Sequence, residues 1–487
     1  MLSKFTGTAL SAAHVAARPM ASLFVLRHKM SSSAASAGKG LDPHEFTVTY
    51  DNGFLPLHEP LERLPAPFEK MNDILDRMPV ELENGGKGLL YDGRLGDVIK
   101  KELPQYDLKL IDSANNQLLA ALYRDLTFLC SAYLLEPCDV NYRKKGEYGL
   151  GRDHLPASIA VPMVRVAERL NAKPYMEYAI SYALYNWKRA DKSKGMQYEN
   201  LRLIRKLHGG AAESGFILVH VAMVAHTGTQ VKNTDRVIKA AETKSREQMN
   251  EALRDYHANL IAINQAMDTM WNRSQSRDYM KLRTFIMGTK DQPMFPNGVV
   301  YEGVSDKPTQ YRGESGANDS IIPTCDNLFD LNFPTNPMTG ILLDFRSYRP
   351  KTHEAYLEEI KARSRAAKVK EFCLADANTA VLYLSNVDMN REFRMRHWNF
   401  TKEYIIKQSD HPVATGGSPI TTWLPNQLTG VLTTMEQVIA QIDSQVASGA
   451  KLTKDSQERF TAVKARSEAQ LRVLQREVAD LRAKFGQ

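Results

Sequence analysis

Cysteine is scarce: Cys130, Cys138, Cys325 and Cys373 are the only four, and they form no CxxC pair and no zinc-finger spacing. That pattern excludes a disulfide framework and fits unpaired thiols in a reducing compartment. Cys130, on an apolar helical run, and Cys325 read as core residues rather than nucleophiles. Long apolar runs are missing too. The stretch from Phe216 to Ala225 is broken by His220 and is too short to span a bilayer, so no transmembrane helix is expected. Strand-like alternation is rare, which leaves a mainly all-α architecture. Acidic residues are absent before Asp42, where Lys4, Arg18, Arg27, Lys29 and Lys39 stand. Taking those five from the 63 Lys plus Arg leaves 58 against 56 Asp plus Glu, so the net charge of +7 falls to +2. The body of the chain is not a nucleic-acid binder on charge grounds.

What is present is a chain of 487 residues, 43% hydrophobic, long enough for a full core. Residues 1–40, rich in Ser, Ala and Arg and lightly amphipathic through Leu2, Phe5 and Leu10, have the character of a mitochondrial transit peptide; the alternative is a disordered tail on a cytoplasmic protein. Residues 41–155 read as a small helical domain, with a helix over 114–135 carrying Leu118, Leu119, Leu122, Leu126 and Leu129. Residues 156–429 read as a large helical domain. Pro162 suits the first turn of a helix that buries Met163, Val166, Ala167 and Leu170. Met249, Leu253, Tyr256, Leu260, Ile263, Met267 and Met270 recur at heptad spacing, which predicts one long core helix rather than a coiled coil. Residues 430–487 form a charged helical extension whose stripe of Leu471, Leu474, Val478, Leu481 and Phe485 packs on the body or makes a dimer.

The segment from Arg394 to Tyr404 reads as a helix. Phe393, His397, Phe400 and Tyr404 fall at i, i+4, i+7 and i+11, so they share one apolar face. On that helix alone, His397 reads as a core histidine satisfied by a hydrogen bond. The words around it point elsewhere. Val161-Pro-Met-Val-Arg-Val-Ala-Glu-Arg-Leu170, Tyr178 to Trp187, Ser214-Gly-Phe-Ile-Leu-Val-His220, Val300-Tyr-Glu-Gly303, Arg312-Gly-Glu-Ser-Gly316, Asp326, the His397 helix, Ala414-Thr-Gly-Gly-Ser-Pro419 and Thr422-Trp-Leu-Pro-Asn-Gln427 follow in one order. From about Pro156 to Leu428 the chain resembles the indoleamine 2,3-dioxygenases, most closely the fungal-type branch.

The resemblance implies haem b as cofactor, dioxygen as co-substrate, and cleavage of the indole C2–C3 bond of L-tryptophan to N-formylkynurenine, the first step of the kynurenine pathway. It makes His397 the proximal iron ligand, with Arg394 and Asp326 as the pair that holds its helix. It puts His220 on the distal side, where the mammalian pattern has serine, as an acceptor for the indole N–H. His226 would face elsewhere. Arg283, counted back without a gap from Val300-Tyr301-Glu302-Gly303, falls on the arginine for the substrate carboxylate, a task suited to its planar fork. Phe216 and Tyr178 become pocket aromatics. Ser315 and Gly316 become the small residues under the substrate, and Thr415, Gly416 and Gly417 the loop that closes on its amino-acid end. Asp278, followed by Tyr279, stands where the family carries phenylalanine. Beside an indole, a carboxylate needs the substrate ammonium or Arg283 as a partner, unless the helix is rotated. A reductant for the iron is a further implied partner.

Two other functions fit parts of this pattern. An oxygen-binding haem protein of the same fold needs His397 but has no use for Arg283 or Thr415. A helical interaction protein built on the two heptad stretches needs neither.

Overall fold

A computed structural model describes residues 44–331, 333, 339–408, 413–417 and 420–485. The acid-free segment before Asp42 lies outside them. Asp42–Gln487 form one compact unit. A single hydrophobic cluster runs from Phe46 to Leu474 and draws on all three of the segments expected at 41–155, 156–429 and 430–487.

Helices dominate the described residues, as the scarcity of alternation predicts. His154–Leu155 pairs parallel with Val299–Tyr301, which pairs antiparallel with Ser305–Thr309, and Trp187–Arg189 pairs antiparallel with Leu201–Leu203.

The central helix spans Asn116–Lys145, ten residues beyond the expected end and through Pro137. The side chain of Asn115 caps its start by accepting from Leu118 N–H, and Gly146, at φ +78°, ends it in the left-handed region. This helix is long and apolar enough to cross a membrane, which the expectation based on Phe216–Ala225 overlooked. Yet 94% of its most apolar window is buried inside the fold, the pattern of a helix packed on every side. Its four buried charges are paired: Asp125 binds Arg124 and Arg205, each at 2.7 Å, Glu136 binds Arg152, and Asp139 binds Arg143 at 2.8 Å.

The next helix, Ala157–Leu170, buries Met163, Val166, Ala167 and Leu170 as predicted. It begins earlier than expected, because Pro156 supplies the extended cap, and Pro162 sits inside the helix rather than in its first turn. The heptad stretch becomes the helix Arg246–Asp268, capped by Ser245, except that its last member, Met270, starts a separate short helix, Met270–Arg273. It packs against Thr227–Glu242 and Ala377–Thr401, so its seam is an internal one. Ile420–Ala447 and Lys454–Phe485 both fold back on Ala377–Thr401, and Leu474 is buried there. Leu471, Leu474 and Val478 of the stripe therefore pack on the body, and the side chains of Leu481 and Phe485 lie outside those described.

One buried group makes this fold sensitive to acid. His353 lies between Phe46 and Phe54, with ring centroids 5.7 and 5.1 Å away, and burial holds its pKa down at about 3. In the unfolded chain the imidazole returns to about 6.5. Between these values the unfolded state binds more protons, so stability is full above pH 6.5 and falls as pH drops toward 3. Denaturant titrations at pH 7 and pH 5 should show the wild type losing about 2 kcal/mol more than His353→Gln over that interval. An equal loss would remove the assignment.

Candidate functional site

The helix Ala377–Thr401 is capped by the side chain of Asp376, which accepts from Thr379 N–H, and passes directly into a π-turn, Lys402–Ile406. Phe393, His397, Phe400 and Tyr404 all line one cavity of about 1050 Å³, counted out to its mouth. The shared face read from their spacing is thus the wall of a cavity. Helix Ala211–Val224 gives Phe216, His220 and Met223 to the same cavity; Met267, Met270 and Tyr279 add to it. The remaining lining comes from Thr401 and Ile405, from the turn Glu314–Asp319, and from Ala414 and Thr415.

His397 carries a neutral imidazole. Burial, then the nearby His220 and Arg394, hold its pKa down at about 4. Its ring has no hydrogen-bond partner among the described residues, while its carbonyl accepts from the Thr401 hydroxyl at 3.0 Å. The ring is half-buried on the cavity wall, so it is open to a group bound in the cavity. Nearby, Arg394 and Asp326 meet at 2.7 Å with side chains only 9% and 16% exposed, so they are not a solvated surface pair. Asn390 completes the group, donating to Asp326 at 3.0 Å and accepting from Arg394. This cluster ties the His397 helix to the helix Ile321–Leu328 one turn before the histidine. Further along, Glu477 of the C-terminal helix accepts from the Trp398 indole at 2.9 Å and from Lys402 at 2.6 Å.

His220 is also buried and held neutral by burial. Its Nδ1 lies 2.8 Å from the Phe216 carbonyl, which can only accept. Nδ1 therefore carries the proton, and Nε2 keeps a free lone pair. Phe216 packs against His220 and against Tyr279, with ring centroids 5.1 Å apart in both cases. Tyr178, expected in the pocket, stands behind it instead. Its ring meets His220 edge-on at 5.9 Å, and its hydroxyl donates to Asp319 at 3.2 Å. His226 is exposed and outside the cavity, as expected.

Asp278 is corrected by its helix. Successive residues on a helix point about 100° apart, so only one of Asp278 and Tyr279 can face inward. The aromatic one does. Asp278 turns outward and binds Lys281 at 2.9 Å, which holds its carboxyl below the usual range.

Arg283 is fully buried but does not itself line the cavity. Its Nη2 donates to the Val413 carbonyl at 2.7 Å, while Nε and Nη1 find no acceptor at normal geometry beside the Tyr148 hydroxyl. No carboxylate pairs with it among the described residues.

The Thr415 loop is strapped down. Gly288 N–H donates to the Thr415 carbonyl at 2.9 Å, Arg312 to the Gly416 carbonyl at 2.8 Å, and the Thr415 hydroxyl to the Glu314 carbonyl at 2.9 Å. Thr415 lines the cavity, whereas Gly416 and Gly417 lie outside it. Their small size serves packing: a Cβ on Gly416 would strike the Phe345 ring, and Gly417 has φ +83°. Gly316 differs, since a Cβ there would meet nothing within 4 Å. With Ser315 it leaves room over the cavity.

Two acidic lining residues escaped the sequence reading. Asp319 accepts from Ile321 N–H at 2.7 Å and from Tyr178. Glu314 lies inside the quoted segment Arg312–Gly316, where a long acid among glycines and a serine was the available signal.

These features fit a haem group: an unpartnered neutral imidazole on a braced helix, an apolar cavity, and a second neutral histidine facing the same space. The comparisons agree. A family model described as indoleamine 2,3-dioxygenase matches residues 42–457. The chain is 27% identical to indoleamine 2,3-dioxygenase 1 of Rattus norvegicus over 387 residues, 78% of this chain and 88% of the relative. It is 26% identical to indoleamine 2,3-dioxygenase qulI of Penicillium citrinum over 382 residues, 76% of this chain and 80% of the relative. It is also 26% identical to a myoglobin of Haliotis madaka over 375 residues, 76% of this chain and 90% of the relative. With one family model spanning most of its length and relatives from mammal, fungus and mollusc, the chain belongs to the indoleamine 2,3-dioxygenase family.

Proposed function

We propose that this protein binds haem b through His397 and uses dioxygen to cleave the indole C2–C3 bond of L-tryptophan, giving N-formylkynurenine. The observation that carries the substrate assignment is Arg283: a guanidinium with no exposure, two unpaired N–H groups and no anion among the described residues. A buried cation without a partner costs several kcal/mol, and a substrate carboxylate would supply the missing charge and a two-point bond. Tyr279, one turn before Arg283, and Ala414, next to its partner Val413, both line the cavity, so the guanidinium stands at its edge.

Haem, when bound, supplies the dioxygen chemistry. The chain's own residues position and shield. Phe216 and Tyr279 offer aromatic faces to an indole. Nε2 of His220, a lone pair in a dry wall, accepts the indole N–H. Ser315 and Gly316 leave space above the cavity floor, and the strapped Thr415 loop keeps water out of the amino-acid end. No side chain is required as a strong base. The acid-free segment before Asp42 supports a mitochondrial destination, and turnover needs a reductant for the iron.

The test is reduction without oxygen followed by aerobic assay with L-tryptophan, watching for the formylkynurenine chromophore. Product should form, and 1-methyltryptophan, which lacks the N–H, should have a kcat/KM at least about tenfold lower. Reversible oxygen binding without product would make the protein a carrier, the reading that its likeness to a myoglobin favours. Equal turnover of the methylated substrate would remove the His220 role.

A further inference from the structure

Three buried acids surround the distal end of the cavity, and two are already occupied. Glu177 accepts from Ala179 N–H at 2.8 Å and from Ile180 N–H, capping the π-turn Tyr178–Tyr182. Asp319 is bound by Ile321 N–H and by Tyr178. Glu314 is different. It is only 4% exposed and lines the cavity, yet its carboxyl has no hydrogen-bond or ion-pair partner among the described residues. Only backbone atoms of Glu314 are engaged: its N–H donates to Ile286 at 3.1 Å, and its carbonyl accepts from Thr415.

We infer that Glu314 is the specificity-determining residue for the substrate's ammonium group, so that it and Arg283 read the two charges of an amino-acid zwitterion at one end of the cavity. The inference rests on the proposed function and deepens it. Both residues are tied to the same loop: Arg283 donates to the Val413 carbonyl at 2.7 Å and the Glu314 carbonyl accepts from the Thr415 hydroxyl at 2.9 Å, while their side chains do not pair with each other. Burial, with Glu177 nearby, lifts the Glu314 carboxyl to about 8, as befits an acid with no cation beside it. At neutral pH that carboxyl is therefore mostly protonated in the free protein; an ammonium brought by the ligand stabilises its ionised form, the proton leaves to solvent, and a charge-assisted hydrogen bond forms. A neutral or anionic side chain at the same place leaves the carboxyl unpaired. The role that the resemblance left to Asp278 thus falls to a residue 36 positions later in the chain.

The test measures dissociation constants of the haem-loaded protein by equilibrium dialysis for four ligands: L-tryptophan, tryptamine, which lacks the carboxylate, indole-3-propionate, which lacks the ammonium, and indole. In the wild type, loss of the ammonium should weaken binding on the order of 10- to 100-fold relative to tryptophan. In Glu314→Gln, tryptophan and tryptamine should weaken by a similar factor while indole-3-propionate and indole do not. The wild-type series needs no variant, so a folding defect in Glu314→Gln does not blunt it. Indole-3-propionate binding the wild type as tightly as tryptophan, or an equal loss for all four ligands in the variant, overturns the inference alone. Failure of every indole to bind overturns the proposed function, and this inference with it.

Discussion

His397→Ala should purify almost free of haem, with retention after gel filtration reduced on the order of a hundredfold or more. The histidine is the only ring among the described residues that combines a place on the cavity wall, a neutral charge state at pH 7 and no competing hydrogen bond with a helix braced from both sides. Removing it deletes the proposed iron ligand while leaving the brace intact. Thermal stability of the haem-free form should therefore change little, because the side chain faces the cavity and packs into no core layer. The absorbance ratio of the Soret band to the protein band reads the outcome directly. Adding imidazole to the variant should restore part of the band by filling the vacated space. A normal haem spectrum in His397→Ala would move the axial assignment to another residue.

Arg283→Ala is the second large effect. Truncating one partner of a buried charge pair costs about 2–5 kcal/mol, so tryptophan binding should weaken on the order of 30- to 5,000-fold while indole binding stays within a few-fold. Arg283→Lys keeps the charge but loses the fork and the bond to the Val413 carbonyl, and should fall between alanine and wild type. The comparison with indole separates recognition of the carboxylate from general damage to the loop that Val413 begins. Equal losses for tryptophan and indole would reduce Arg283 to a structural tie.

Periodicity made the cavity wall legible: four residues separated by four, three and four positions had to share a face, and they do. It made the Met249 helix legible for the same reason. What it could not settle was which of two neighbours turns inward at the end of a short helix, and Tyr279 displaced Asp278 because the aromatic ring finds Phe216 while the carboxylate finds Lys281. Tyr178 belonged to the right neighbourhood but one layer back, where its hydroxyl meets Asp319. Glu314 was out of reach for another cause. Its isolation depends on Glu177 and Asp319 being consumed by local backbone, a fact of three-dimensional bonding that spacing along the chain does not encode. The central helix runs past the end read from its leucines and continues through Pro137, a residue that ordinarily breaks a helix.

The C-terminal helix carries a last consequence. The family model stops at residue 457, so Glu477 belongs to the part of the chain beyond it, yet this carboxylate grips Trp398 and Lys402, one and five residues past His397. Glu314 and Arg283, by contrast, lie within the region the family shares. The brace on the His397 helix is therefore built from both sides of that limit, Arg394 with Asp326 within the matched residues and Glu477 beyond them, so shortening the tail should loosen the helix end while leaving Arg283 and Glu314 in place.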